Sequence, residues 1–162
     1  MPTKLTDLKA GQSAPDFSMD VTGMDEPATL STYSGRYLVL YFYPKDDTPG
    51  CTTEALGFTA HKAVFASLNA DILGVSRDTI EKHNKFIAKK DLGIALGSDH
   101  TGDVTDAYGV WVEKSMYGKT YMGIQRATFL IGPDGTIVEV WPKVRVKGHV
   151  EDVLARLQAI SA

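Results

Sequence analysis

The sequence predicts an α/β domain: a mixed sheet flanked by helices, with an N-terminal β-hairpin. Three observations carry this reading. Apolar strand-like runs alternate with helical segments, which favours parallel strands covered by helices. The late turn Gly132-Pro133-Asp134-Gly135, set between two apolar runs, adds an antiparallel hairpin. The 162 residues suit a single domain spanning 1–162, long enough to bury roughly 70% of its unfolded surface without a covalent staple.

The elements follow in order. Residues 15–31 hold two short stretches around Gly23 and Pro27 and read as the N-terminal hairpin. Tyr37 to Tyr43 is aromatic, β-branched and almost wholly apolar, as expected of a strand covered on both faces. Pro44 to Gly50 is loop. From Thr52 to about Leu68 the pattern is helical, with Leu56, Ala60, Val64 and Phe65 on one face. Asp71 to Ser76 is a second buried strand. Thr79 to Lys90 is a helix with Asp78 as N-cap and Glu81 as its capping-box partner. Asp103 to Tyr108 is a short helix, Gln125 to Ile131 and Thr136 to Trp141 are the hairpin strands, and Val150 to Ile160 is a closing helix. A thioredoxin-like mixed sheet fits this order. A flavodoxin-like one fits less well, because it lacks the late hairpin.

Composition narrows the chemistry. A net charge of −3 offers no phosphate-binding surface, so no nucleic-acid partner is expected. The longest apolar run is seven residues, far short of a membrane span, and the N-terminus lacks the apolar core of a secretory signal. A cytoplasmic protein is the expectation. With one cysteine the chain has no internal disulfide, no Cys-x-x-Cys pair and no multi-thiolate metal site of its own. No metal and no cofactor are expected: His61, His83, His100 and His149 lack ligand spacing and read as surface or capping residues. Asp46 and Asp47 read as solvated loop acids. No glycine-rich phosphate loop follows a strand.

The single Cys51 falls just after a buried strand, at the start of a helix. A helix N-terminus offers free N–H groups and a partial positive charge, and both favour a thiolate. The bland alternative is a buried structural cysteine. The neighbours weigh against it. Thr48, three residues earlier, can set a hydroxyl beside the sulfur; Pro44 can end the strand and shield it; Gly50 permits close backbone approach. A fixed cation would complete such a site. Arg126, at the start of a predicted strand, is the candidate, although 75 residues separate it from the cysteine and spacing alone does not bring them together. Glu54 reads as a first-turn helix acid, or as a residue that orients Arg126.

These motifs resemble the peroxiredoxins of the PrxQ, or bacterioferritin comigratory protein, type. The similarity runs through Ala14-Pro-Asp-Phe17, Tyr43-Pro-Lys-Asp-Asp-Thr-Pro-Gly-Cys-Thr-Thr-Glu54, Gly74-Val-Ser-Arg-Asp78, Tyr108-Gly-Val-Trp111, Met116 to Gly123, Arg126-Ala-Thr-Phe129 and Trp141 to His149. The resemblance implies a thioredoxin-like fold and a thiol peroxidase acting on hydrogen peroxide and organic hydroperoxides. Cys51 matches the peroxidatic cysteine, and Pro44, Thr48 and Arg126 match the rest of the peroxide site. Cys51 would attack the distal peroxide oxygen and become a sulfenic acid. A monomer is expected.

The chain departs from many such proteins in lacking a second, resolving cysteine. The two usual places hold Leu56, read here as core-facing, and the segment around Ile87. An external thiol must therefore reduce the sulfenic acid: glutathione, a thioredoxin or a glutaredoxin. A redox sensor or binding protein without efficient turnover is the competing reading.

Overall fold

The computed structural model describes residues 5–161. Its strands are β1 (Ser18–Val21), β2 (Ala28–Thr29), β3 (Tyr37–Phe42), β4 (Ala70–Ser76), β5 (Ala95–Ser98), β6 (Trp111–Met116), β7 (Lys119–Ile124), β8 (Ala127–Ile131) and β9 (Ile137–Trp141). The helices are α1 (Pro49–Ala60), α2 (Lys62–Ser67), α3 (Ile80–Lys90), α4 (Asp103–Ala107) and α5 (His149–Ser161).

Seven strands form one sheet in the order β2-β1-β5-β4-β3-β8-β9. Its centre is parallel, β3 with β4 and β4 with β5; β8 and β9 continue it antiparallel on one side, and β1 and β2 on the other. The N-terminal hairpin, the parallel centre and the late hairpin are thus where the sequence places them. Alternation along β3 explains its continuous apolar run. Leu38, Leu40 and Phe42 enter one core with Leu73, Val75 and Phe129; Val39, Tyr41 and Tyr43 enter the other with Phe58, Phe65, Phe86 and Leu157. Helices α1, α2, α3 and α5 cover this second face, whereas the first is closed by the one-turn α4 and the N-terminal segment. Tyr41 pairs with Gly74 on β4, where an added Cβ would lie 2.6 Å from the ring, so only glycine fits beneath it.

Several expectations need correction. The helix predicted from Thr52 to Leu68 begins at Pro49 and breaks at His61 into α1 and α2. Proline suits a first helical position, since its missing N–H would be unpaired there anyway. The buried face of α1 is Cys51, Glu54, Ala55 and Phe58, while Leu56 and Val64 are exposed, so Leu56 does not face the core. The N-cap of α3 is Thr79, whose hydroxyl accepts from the Lys82 N–H, not Asp78. Strand β5 and the β6–β7 ribbon were not foreseen. β5 is four residues with a central glycine, and the outer half of the ribbon is exposed, so neither shows a clear hydrophobic period.

Candidate active site

Three elements meet at Cys51. Thr48 is the N-cap of α1, Pro49 the first helical residue and Cys51 the third. Among the described residues no protein acceptor meets the Gly50 or Cys51 N–H, so both remain available at the positive end of the helix. The Cys51 side chain is only 2% exposed, packed with Tyr41, Tyr43 and Ala55. Strand pairing brings in the cation. β8 runs antiparallel to β3 with Ala127 opposite Phe42, so Arg126 leaves β8 where β3 leaves the sheet toward Cys51.

Arg126 joins two partners. Its Nη2 donates to Cys51 Sγ at 3.4 Å and its Nη1 donates to Glu54 Oε1 at 2.7 Å. Glu54 is fully buried, in the second turn of α1 rather than the first, and orients the guanidinium instead of serving the helix terminus. Its Oε2 is buried and has no partner among the described residues. Burial raises the Glu54 carboxyl to about 7, against the pull of Arg126. Burial opposes the charge on Arg126, but Glu54 and Cys51 outweigh it and hold the guanidinium above its ordinary value. Burial, then the charges of Glu54 and Cys51, push the Tyr41 phenol far up, so it stays neutral beside the sulfur. Gly50 has a steric reason: a Cβ there would stand 3.1 Å from Arg126 Nη2.

Thr48 lies in the same loop, but its hydroxyl donates to the Lys45 carbonyl at 2.8 Å and makes no hydrogen bond to Cys51. With its hydrogen committed, the oxygen is left as an acceptor. Pro44 is exposed and lines an open cavity of about 370 Å³ with Trp111, Lys114 and Tyr121. Burial and Arg126 lower the Lys114 ammonium, and Cys51 partly offsets them.

The histidine and aspartate readings are overturned in part. His83 is 0% exposed and His149 is 4% exposed, so neither is a surface residue. His149 Nε2 lies 2.7 Å from the Thr128 hydroxyl, and burial lowers its imidazole to about 4. Asp46 is half-buried, with its side chain 6% exposed and paired with His83, whereas Asp47 is a surface acid paired with Lys89. Sequence spacing carried no sign of the Asp46–His83 contact, because 37 residues separate the partners.

Residues 10–140 match the model of the AhpC/TSA family. The chain is 47% identical to peroxiredoxin Bcp of Bacillus subtilis over 154 residues, covering 95% of this chain and 98% of that one. A cysteine-to-serine variant of PrxQ from Xylella fastidiosa superposes with a TM-score of 0.91 at 41% identity, covering 97% and 99% of the two chains. A structure of the Xanthomonas campestris bacterioferritin comigratory protein, described for its alkyl peroxide reduction activity, superposes at 0.87 with 43% identity, covering 94% and 99%. Two structures of Xanthomonas campestris peroxiredoxin Q carry serine in place of cysteine at two different positions, so that protein has two cysteines where this chain has one.

Proposed function

Because the chain belongs to the AhpC/TSA family of peroxiredoxins and is a thiol-dependent peroxidase, we propose that Cys51 is its peroxidatic residue, positioned by Arg126, Glu54, Thr48, Gly50 and Pro44. The observation that carries this is the Arg126 guanidinium, 3.4 Å from a buried Cys51 Sγ at a helix N-terminus.

The thiolate attacks the distal oxygen of a hydroperoxide. The S–O bond forms as the O–O bond breaks, giving a Cys51 sulfenic acid and an alkoxide, or hydroxide, that takes up a proton. Thr48 Oγ1 accepts from the peroxide O–H, and the Gly50 and Cys51 N–H groups hold the attacked oxygen. Arg126 stabilises the thiolate and the charge that develops on the leaving oxygen. Glu54 keeps the guanidinium aimed, and Pro44 walls the approach.

No second thiol exists in the chain, so the reductant enters from outside. One thiol condenses with the sulfenic acid, releasing water and forming a mixed disulfide, and a second thiol releases Cys51 and carries away the oxidised pair. Glutathione, a thioredoxin and a glutaredoxin are the candidate donors, and a monomer is the proposed working state. The test is stoichiometric hydrogen peroxide added to reduced protein. One added oxygen at Cys51, absent from Cys51→Ser, supports the assignment. Oxidation no faster than that of free cysteine refutes it.

A further inference from the structure

The β6–β7 ribbon stands apart from the main sheet, and the reaction above does not use it. Pairing of Lys114 with Tyr121 and of Met116 with Lys119 sets these four side chains on one face. Gly123, on the same face, explains how the inner pair lies down. A Cβ there would stand 3.3 Å from Lys114 Cδ and 3.4 Å from Tyr121 Cε2, so the lysine stem and the ring spread over the bare glycine. Lys114 and Tyr121 also line the cavity that opens at Pro44, so this face begins at the mouth of the peroxide site. Farther out it stays apolar. Met116 and Tyr121 are exposed, and Tyr117 at the tip is 97% exposed. Aromatic and methionine side chains left bare side by side mark a contact surface.

Charge says what fits there. Lys114 and Lys119 lie on the face and Lys45 across the cavity, and among the described residues none of the three forms an ion pair. The one acid on the cavity wall, Asp78, is already engaged: its Oδ2 accepts from the Asp46 N–H and the Ser76 hydroxyl. The face is therefore cationic on a chain of net charge −3. A second copy docked through it would bring cation against cation, whereas an acidic partner is attracted. Size then separates a protein from a small thiol. Tyr117 lies three residues beyond Lys114, about 10 Å farther from the cavity. A tripeptide thiol is about 10 Å long when fully extended, with its sulfur in the middle, so one engaged at Cys51 leaves the tip bare.

We propose that this face is the docking surface for the external reductant, a protein thiol donor whose reactive cysteine lies beside an acidic patch. Such a donor needs holding. Cys51 is only 2% exposed, so its oxidised sulfur depends on a partner kept at the mouth rather than on passing collisions. Tyr117 and Met116 anchor the donor, and the lysines steer its approach. The inference rests on the assignment of Cys51 above, and it narrows the three candidate donors to the two proteins.

The experiment separates the two halves of the cycle. One equivalent of hydrogen peroxide converts Cys51 to the sulfenic acid. An acidic thioredoxin, an acidic glutaredoxin or glutathione, each reduced, is then added, and intact mass after quenching follows the return of the thiol. One of the two proteins is expected to regenerate wild type at least about 100-fold faster than glutathione at equal concentration. Tyr117→Ser should slow that protein-driven step at least about tenfold, and Lys119→Glu at least about threefold. Raising the salt from about 0.05 M to about 0.5 M should slow it in wild type by at least about threefold. Both variants should keep the peroxide step and the glutathione rate within about twofold of wild type. Regeneration by glutathione as fast as by either protein overturns the proposal, as does a protein-driven rate that Tyr117→Ser leaves unchanged. So does equal slowing with all three donors, or a wild-type dimer that Tyr117→Ser dissociates in sedimentation, which would make the face a self-association surface. Failure of the Cys51 assignment shows earlier: no sulfenic acid forms on wild type, or one forms on Cys51→Ser.

Discussion

Gly50→Ala separates activity from stability. The substitution adds one methyl group 3.1 Å from Arg126 Nη2 and 3.8 Å from its Cζ. Comfortable contact begins near 3.4 Å, so the guanidinium must retreat by about 0.3 Å. Nη2 stands 3.4 Å from Cys51 Sγ. Lengthening that to about 3.7 Å, at an effective dielectric of about 20, weakens the attraction by about 0.4 kcal/mol, or about twofold. Any tilt of the 2.7 Å bond to Glu54 adds to the loss, so a fall of about two- to tenfold in the rate of peroxide attack is expected. Stability moves the other way. Gly50 has no left-handed backbone to preserve, and alanine is favoured over glycine in a helix by up to about 1 kcal/mol. The assay is single-turnover thiol loss with hydrogen peroxide at neutral pH, beside a urea titration of the same samples. A variant that is at least as stable as wild type and oxidises at the wild-type rate would refute the idea that the Arg126–Cys51 distance governs reactivity.

Removing the cation outright, in Arg126→Ala, should slow peroxide attack by at least about 100-fold and slow alkylation of Cys51 at neutral pH; alkylation at the wild-type rate would rule the role out. Two buried groups make stability depend on pH in opposite senses. His149, lowered from 6.5 to about 4, contributes stability that is complete above its unfolded value and is lost as pH falls through about 4. Glu54, raised from 4.5 to about 7, contributes stability that is complete below its unfolded value and is lost as pH rises through about 7. Each shift corresponds to about 3 kcal/mol, so across the shared window the two nearly cancel. In urea titrations His149→Gln should lose stability as pH rises through that window, and Glu54→Gln should gain it; parallel slopes would contradict both. Finally, excess peroxide without a thiol donor should drive Cys51 past the sulfenic acid to irreversible products, because no internal thiol traps it. Intact mass that stays fully reversible after prolonged exposure would refute this.

Much of the architecture was legible because it rests on local patterns. β3 is apolar at every position since both its faces are covered, and the Gly132–Gly135 turn names its own hairpin. The helix after the cysteine was phased from the wrong start. Beginning at Pro49 instead of Thr52, and breaking at His61, it turns Ala55 and Phe58 inward and leaves Leu56 outside. The Asp46–His83 contact was illegible for a different reason. Asp46 and His83 look solvated in sequence, and only the packing of α3 against the loop removes water and makes each the other's partner.

The sequence by itself determined the proposed reactive atom and its dependence on others: one cysteine, between a buried strand and the helix that follows it, with no second thiol to resolve it. Those follow from composition and from the local geometry of a helix terminus. What only the tertiary structure decided is what surrounds that atom. Arg126 reaches Cys51 because β8 pairs antiparallel with β3 in the register that sets Ala127 against Phe42. Glu54 aims Arg126 because α1 buries that carboxylate beside it. Long-range register and burial have no local sequence period, so the charges that tune the sulfur are fixed only when the sheet closes.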